Sequence, residues 1–156
     1  MQRPIVNRTV VGNFAELEAV DPLFARLYAA RGVTSPDQLD YGLAGLLPIS
    51  SLEHIDDAVN LLLKHRDERI IVVGDFDVDG ATSTALMLRC LRAFDFADVG
   101  YLVPNRFEFG YGLSPEIVQV AAERSPQLII TVDNGISSLA GVRAAKDAGI
   151  NVLVTD

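Results

Sequence analysis

The sequence Arg69-Ile70-Ile71-Val72-Val73-Gly74-Asp75-Phe76-Asp77-Val78-Asp79-Gly80 runs from four β-branched apolar residues directly into three carboxylates on alternate positions. A short apolar run of this kind predicts a strand that is buried on both faces. The segment that follows, residues 82–94, has the composition and length of a helix. This stretch therefore predicts the first strand and helix of a parallel sheet, with a cluster of acids between them.

The same alternation of strand and helix continues along the chain. It predicts an α/β fold, a parallel sheet with crossover helices on its faces. The predicted strands are residues 69–73, 99–103, 127–132 and 151–155, and the predicted helices are residues 82–94, 114–124 and 137–148.

The residues before this region predict helical pieces without strands. One helix is expected from Asp21-Pro22 to Arg31, a second opens at Ser35-Pro36-Asp37, and a third covers residues 55–64. We therefore divide the chain into a helical N-terminal arm, residues 1–66, and an α/β region, residues 67–156.

Carboxylates follow other predicted strands as well. Asp133 comes after the third strand and Asp156 after the fourth, beside Asp75, Asp77 and Asp79 after the first. Parallel sheets bind ligands beyond the carboxyl ends of their strands, so we expect these five acids to gather at one edge. A divalent cation would relieve their repulsion, and ligands that are all oxygen favour Mg²⁺ or Mn²⁺. Alternatively, each Asp and Gly after a strand makes only a turn or a helix cap.

Two other motifs overlap the first acidic cluster. An EF-hand calcium loop requires glutamate where Leu86 stands, and it does not follow a strand, so we reject it. A haloacid-dehalogenase-type phosphatase stays open. It would use Asp77 as a nucleophile, Asp79 as a general acid and Thr131 as a phosphate-binding hydroxyl.

A glycine-rich block, residues 104–114, follows the second strand. Its glycines would let the backbone approach a ligand closely, and Arg106 could hold a phosphate with two donors. Phe107 or Tyr111 could stack on a base. The block could equally be a loop that ends at the helix cap Ser114.

Three blocks, residues 73–83, 103–107 and 131–137, resemble in order and spacing the DHH phosphoesterases, and most closely the bacterial members that degrade single-stranded DNA. The resemblance implies a DHH-type, Rossmann-like fold and a two-metal site. It implies a 5′-3′ exonuclease in which water activated by Mn²⁺ or Mg²⁺ hydrolyses phosphodiesters during DNA recombination and repair. The implied catalytic residues are Asp77, Asp79 and Asp133; the implied metal ligands are Asp75, Asp77, Asp79, Asp133 and Asp156; and the implied substrate-binding residues are Asn105, Arg106, Tyr111, Gly112, Asn134 and Gly135.

The family motif that names these enzymes is only partly present. Asp156 supplies its aspartate, and the two histidines that follow in the family lie beyond the sequence. We therefore expect a truncated DHH domain that is inactive alone, within an intact enzyme whose partners are single-stranded DNA and single-strand-binding or other repair proteins. A small-molecule phosphatase, including a DHH enzyme acting on pyrophosphate or oligonucleotides, and a non-catalytic interaction module remain alternatives.

Composition restricts the class of protein further. The net charge is −8, with two lysines against eleven arginines, so no basic stripe marks a nucleic-acid surface. No apolar run is long enough to span a bilayer and no signal peptide is recognisable, which predicts a cytoplasmic protein without membrane partners. The single cysteine, Cys90, is expected to be a buried thiol without a redox role.

Overall fold

The structure is a computed structural model that describes residues 20–156, apart from the side chain of Arg106. The chain divides into two compact units, Met1–Leu52 and Glu53–Asp156. The boundary between arm and α/β region at residues 66 and 67 stays a prediction. In the structure, the helix Ile55–Lys64 groups with the sheet.

The described part of the first unit consists of one helix and three single turns. Helix α1, Pro22–Ala29, begins at Asp21, whose carboxylate accepts a hydrogen bond from the Leu23 amide at 2.9 Å. The second predicted helix is only a 3₁₀ turn, Pro36–Leu39, because glycines and a proline interrupt the chain soon afterwards. The other two turns are Leu43–Gly45 and Ile49–Ser51.

The second unit contains a four-stranded parallel sheet. Its elements are α2 (Ile55–Lys64), β1 (Arg69–Val73), α3 (Val78–Ala93), β2 (Asp98–Leu102), α4 (Arg106–Phe109), α5 (Pro115–Ala122), β3 (Leu128–Val132), α6 (Leu139–Asp147) and β4 (Asn151–Thr155). The strand order is β2-β1-β3-β4, so β1 and β3 are central. The predicted strands are confirmed, with bounds that differ by at most one residue.

Both faces of the sheet carry an apolar core. Ile71, Val73 and Ile129 face helices α5 and α6, whereas Ile70 and Val72 face α2 and α3. Alternate residues of a strand point to opposite faces, which explains why β1 and β3 are continuous apolar runs. Within the described residues, no helix combines the length and apolarity that crossing a bilayer requires.

The prediction of a buried thiol is wrong, because Cys90 is exposed. Helix α3 buries only one stripe, which includes Thr84, Leu88 and Leu91. Cys90 lies outside that stripe, so the apolar composition around it does not bury it.

Close packing of α6 leads to a first prediction. A Cβ atom on Gly141 would lie 2.0 Å from the backbone oxygen of Leu113, so Gly141→Ala must displace either α6 or the loop before α5. We expect a loss of about 2 kcal/mol or more in the free energy of unfolding, although alanine intrinsically favours helix. Urea denaturation of the chain would measure this loss.

The matched control is Gly149→Ala. Gly149 has a φ of +75°, and a Cβ atom added there would meet no other atom within 4 Å, so the substitution adds backbone strain without a clash. A loss of about 1 kcal/mol is expected there. Equal losses at the two sites would show that the contact with Leu113 is not the cause.

Candidate functional site

The direction in which the chain adds successive strands to the sheet reverses between β1 and β3. The chain passes from β1 outward to β2 and then crosses back over β1 to β3. Loops that leave two adjacent strands in opposite directions open a crevice between them, which is where parallel sheets bind ligands. Four of the five predicted aspartates follow these two strands, and Asp156 follows β4.

The loop after β1 folds tightly around its acids. Asp75 is buried, and its carboxylate accepts a hydrogen bond from the Phe76 amide at 2.8 Å. Asp77 is the N-cap of α3 and accepts from the Gly80 amide at 3.0 Å. A Cβ atom on Gly80 would lie 2.4 Å from the Asp75 carbonyl oxygen, so glycine is required for this close approach. Asp79 therefore lies in the first turn of α3 rather than in the predicted loop.

The turn after β3 is shaped by Asp133 and Asn134. Asp133 has a φ of 58°, in the left-handed region that aspartate and asparagine tolerate best among non-glycine residues. The Asn134 side chain is buried, and its amide nitrogen donates to the carbonyls of Val73, at 3.2 Å, and Val132, at 2.9 Å. The turn is thus tied to the ends of both central strands.

The fourth strand brings Asp156 to the same turn. The carboxylate of Asp156 accepts a hydrogen bond from the Ile136 amide at 3.1 Å. The Thr155 hydroxyl donates to the Thr131 carbonyl at 2.7 Å, which joins the ends of β4 and β3. The Asp156 carboxylate is therefore held at the turn that contains Asp133.

The electrostatics of Asp133 show that the acids are close enough to interact. Burial raises the pKa of the Asp133 carboxyl above its ordinary value of 3.8, and the charges of four neighbouring carboxylates raise that pKa further. In decreasing order of effect, these neighbours are Asp77, Asp79, Asp75 and Asp156. Each of the other four predicted metal ligands therefore interacts electrostatically with Asp133.

A cleft of about 600 Å³ opens beside these residues. Asp79, Asp133 and Asp156 line it together with Thr82, Ser83 and Thr155. Its remaining wall is an apolar strip of α3 and the end of β3, formed by Leu86, Met87, Cys90 and Val132. Three of the predicted ligands therefore share one solvent-accessible space.

The carboxylates do not form a finished metal shell. Across residues 20–156, no three histidine, cysteine, aspartate or glutamate side chains are arranged to hold a metal ion. Unscreened carboxylates repel one another, and those of Asp77 and Asp156 accept backbone N–H groups instead. The donor set nevertheless fits a hard cation, because it consists of oxygen atoms. A positive charge would also offset the repulsion between the neighbouring carboxylates that raises the pKa of Asp133.

The two histidines are not part of this edge. His65 is buried, contacts Glu68, and lies 3.0 Å from the Asn151 side chain at the start of β4, the opposite end of the sheet. His54 precedes α2.

The glycine-rich block reaches the same edge from β2. Asn105 caps α4 by accepting from the Phe107 amide at 3.0 Å, and the Phe107 ring is 96% exposed. The Tyr111 hydroxyl donates to the Asp133 carbonyl at 2.9 Å. The Leu113 amide donates to the Ser138 hydroxyl oxygen at 3.0 Å. The sequence did not predict these last two contacts.

The structure does not test three of the predicted substrate residues, Arg106, Asn134 and Gly135. The side chain of Arg106 lies outside the described part of the chain. Asn134 and Gly135 are buried beneath the turn, so their contact with a substrate stays a prediction. The side-chain oxygen of Asn134, Oδ1, has no hydrogen-bond partner among the described residues.

The α/β region matches a known protein family. Residues 69–156 match the DHH family, N-terminal domain. The matched region covers the whole sheet and every predicted site residue.

Individual proteins give the same picture. The chain is 54% identical over 158 aligned positions to the single-stranded-DNA-specific exonuclease RecJ of Salmonella typhimurium; the alignment covers 99% of this chain and 27% of that protein. The chain therefore spans about a quarter of the length of this relative.

Two solved structures are similar. A crystal structure of exonuclease RecJ bound to manganese aligns with a TM-score of 0.63 and 39% identity, over 71% of this chain and 29% of that one. The RecJ of Thermus thermophilus in complex with Mn²⁺ aligns with a TM-score of 0.59 and 35% identity, over 92% of this chain and 20% of that one. Both similarities are high enough to include the parallel sheet and its helices.

Proposed function

Because the chain belongs to the DHH family, we propose that it is part of a divalent-metal-dependent exonuclease that degrades single-stranded DNA from the 5′ end. The observation that carries the proposal is geometric: Asp79, Asp133 and Asp156 line one cleft at the switch point of the sheet, and Asp75 and Asp77 lie on the loop after the adjacent strand. The similarity to exonucleases that bind Mn²⁺ supports it. The family match favours this reading over a haloacid-dehalogenase-type phosphatase.

The proposed metal ligands divide by position. Asp133 lines the cleft after β3 and would hold the divalent cations together with Asp77 and Asp79, which lie at the start of α3. Asp75 and Asp156, which hold backbone amides of the two turns, would orient these ligands or bind directly. When bound, the cations supply Lewis-acid chemistry, making a water acidic enough to attack phosphorus and stabilising the leaving oxygen.

The glycine-rich block is the proposed DNA contact. Asn105, Arg106, Tyr111 and Gly112 lie on the loop that leaves β2, and we assign phosphate binding to Arg106. The exposed ring of Phe107 is available to stack on a base, as aromatic side chains do in single-strand-binding proteins. Asn134 and Gly135 complete the proposed substrate contacts from the turn after β3.

The biological setting is part of the proposal. We assign the enzyme to DNA recombination and repair in the cytoplasm, because these processes expose single strands. Mg²⁺ is proposed as an alternative to Mn²⁺, since both are hard cations that oxygen ligands bind. Single-strand-binding protein is the proposed protein partner, because it covers the substrate.

The test of this function is a nuclease assay on the longer protein proposed to carry this segment. With Mn²⁺, single-stranded DNA labelled at the 5′ end should release labelled mononucleotides at once, whereas DNA labelled at the 3′ end should release its label last. Asp77→Asn should lower the rate about 100-fold or more, although asparagine still caps a helix.

The matched control is Asp67→Asn, at an exposed acid between α2 and β1. It should leave the rate unchanged. Degradation of duplex DNA at the same rate, or hydrolysis of pyrophosphate instead of DNA, would overturn the proposed substrate. An active Asp77→Asn variant would overturn the proposed site.

A further inference from the structure

Two hydrogen bonds join the glycine-rich loop, residues 110–113, to the carboxylate turn, residues 133–138. The Tyr111 hydroxyl donates to the Asp133 carbonyl at 2.9 Å, and the Leu113 amide donates to Ser138 at 3.0 Å. Gly112, with a φ of +80°, allows this approach, because a Cβ atom there would lie 2.9 Å from the Ser138 hydroxyl oxygen. The two segments therefore occupy fixed positions relative to each other.

The Tyr111 bond acts on the backbone of Asp133. That residue adopts a φ of 58°, which non-glycine residues seldom adopt unless surrounding contacts hold them there. The next residue, Asn134, is held in place because its side chain donates to the main-chain carbonyls at the ends of β1 and β3. The Tyr111 hydroxyl holds the main-chain carbonyl of Asp133, so we expect the direction of the Asp133 carboxylate to depend on both contacts.

We propose that Tyr111 is a positioning residue, whose hydroxyl sets the orientation of the Asp133 carboxylate for cation binding. The inference rests on the proposed function, because it takes Asp133 as a metal ligand. It gives Tyr111 a role separate from DNA contact. The residue is 58% exposed, so its ring can still meet the substrate while the hydroxyl is used within the protein.

Tyr111→Phe in the longer protein tests the inference, because it keeps the ring and removes the hydroxyl. The Mn²⁺ concentration for half-maximal activity should rise about 10-fold, the change typical for loss of a group that orients a metal ligand. At a fixed low Mn²⁺ concentration kcat should fall, while the KM for single-stranded DNA stays unchanged. Tyr41→Phe, at a tyrosine that is 83% exposed, is the control and should change neither quantity.

A second measurement separates the two roles of Tyr111. In an Asp133→Asn background, adding Tyr111→Phe should weaken neither Mn²⁺ binding nor the binding of fluorescent single-stranded DNA. In the Tyr111→Phe single variant, an increase in the KM for single-stranded DNA without any change in Mn²⁺ dependence would overturn the positioning role. It would assign the hydroxyl to DNA binding. Unchanged kinetics would overturn it as well. If Asp133→Asn itself keeps full activity, the proposed function fails, a result distinct from both.

Discussion

Replacing Asp133 with asparagine is expected to abolish Mn²⁺-dependent digestion of single-stranded DNA by the longer protein. The loss should reach roughly 1,000-fold, or about 4 kcal/mol of transition-state stabilisation, which exceeds the effect expected at Tyr111. Asp133 lines the cleft, and its pKa is raised by burial and by all four other acids, so a cation bound there would offset their repulsion. Activity of the variant would be measured over a range of Mn²⁺ concentrations.

Asparagine is the right substitution because of the backbone at this position. Asp133 has a φ of 58°, and asparagine adopts this left-handed conformation as readily as aspartate. Alanine would add backbone strain, so a loss of activity in Asp133→Ala would mix a structural cause with a chemical one. The Tyr111 bond to the main-chain carbonyl of residue 133 is kept in the asparagine variant.

The same variant should be more stable than the parent chain when no metal is present. A carboxyl whose pKa is higher in the folded than in the unfolded state stabilises the fold at low pH. That contribution is lost as the pH rises from 3.8 through the raised folded value. At neutral pH the ionised Asp133 is therefore destabilising, and Asp133→Asn removes this charge.

Thermal unfolding with chelator at neutral pH would measure the effect. A higher melting temperature for Asp133→Asn together with lost activity would separate the functional role of the charge from any role in folding. A melting temperature that falls below that of the parent chain would contradict the electrostatic account of the site.

The strands were predictable because their signal is local. The run from Ile70 to Val73 is buried on both faces, and a charged residue or glycine bounds it on each side. The edge strand β4, Asn151–Thr155, is only half-buried, but its β-branched and apolar residues also predicted it. Short apolar runs between helical segments were enough to place the central strands, since a parallel sheet buries every position of those strands.

The start of α3 was not predictable from the same signals. The sequence placed it at residue 82, because glycine is a poor helix former. In the structure α3 begins at Val78, since Asp77 caps it and Gly80 packs against the Asp75 backbone. A tertiary approach, invisible in the local pattern, determines where the helix begins.

The candidate site divides in the same way. The gathering of carboxylates follows from topology, because parallel strands bring their carboxyl ends to one edge. The contacts of Tyr111 with Asp133 and of Asn134 with Val73 join residues that are 22 and 61 positions apart. No periodicity reports such pairs, so the sequence could assign Tyr111 and Asn134 only to the substrate.

The 156-residue chain alone is expected to bind single-stranded DNA weakly and to digest none of it. Asp77 and Asp79 are exposed at the edge of the sheet, and the described residues contain no arrangement of three acids or histidines ready to hold a cation. Weak coordination means a high Kd, so added Mn²⁺ would stabilise the fold little. When its concentration only reaches the Kd, the gain is about 0.4 kcal/mol. A net charge of −8 also leaves few phosphate contacts through which counterion release could favour DNA binding.

Incubating the purified chain with 5′-labelled single-stranded DNA and millimolar Mn²⁺ tests this expectation, with the Asp77→Asn chain in parallel. Neither should release mononucleotides, while the longer protein does so under the same conditions. Circular dichroism of both chains should show mixed helix and strand, because the sheet buries an apolar core on each face within residues 53–156. Digestion by the parent chain but not by Asp77→Asn would mean that these five carboxylates suffice for cleavage, and the expectation that the chain is inactive alone would be wrong.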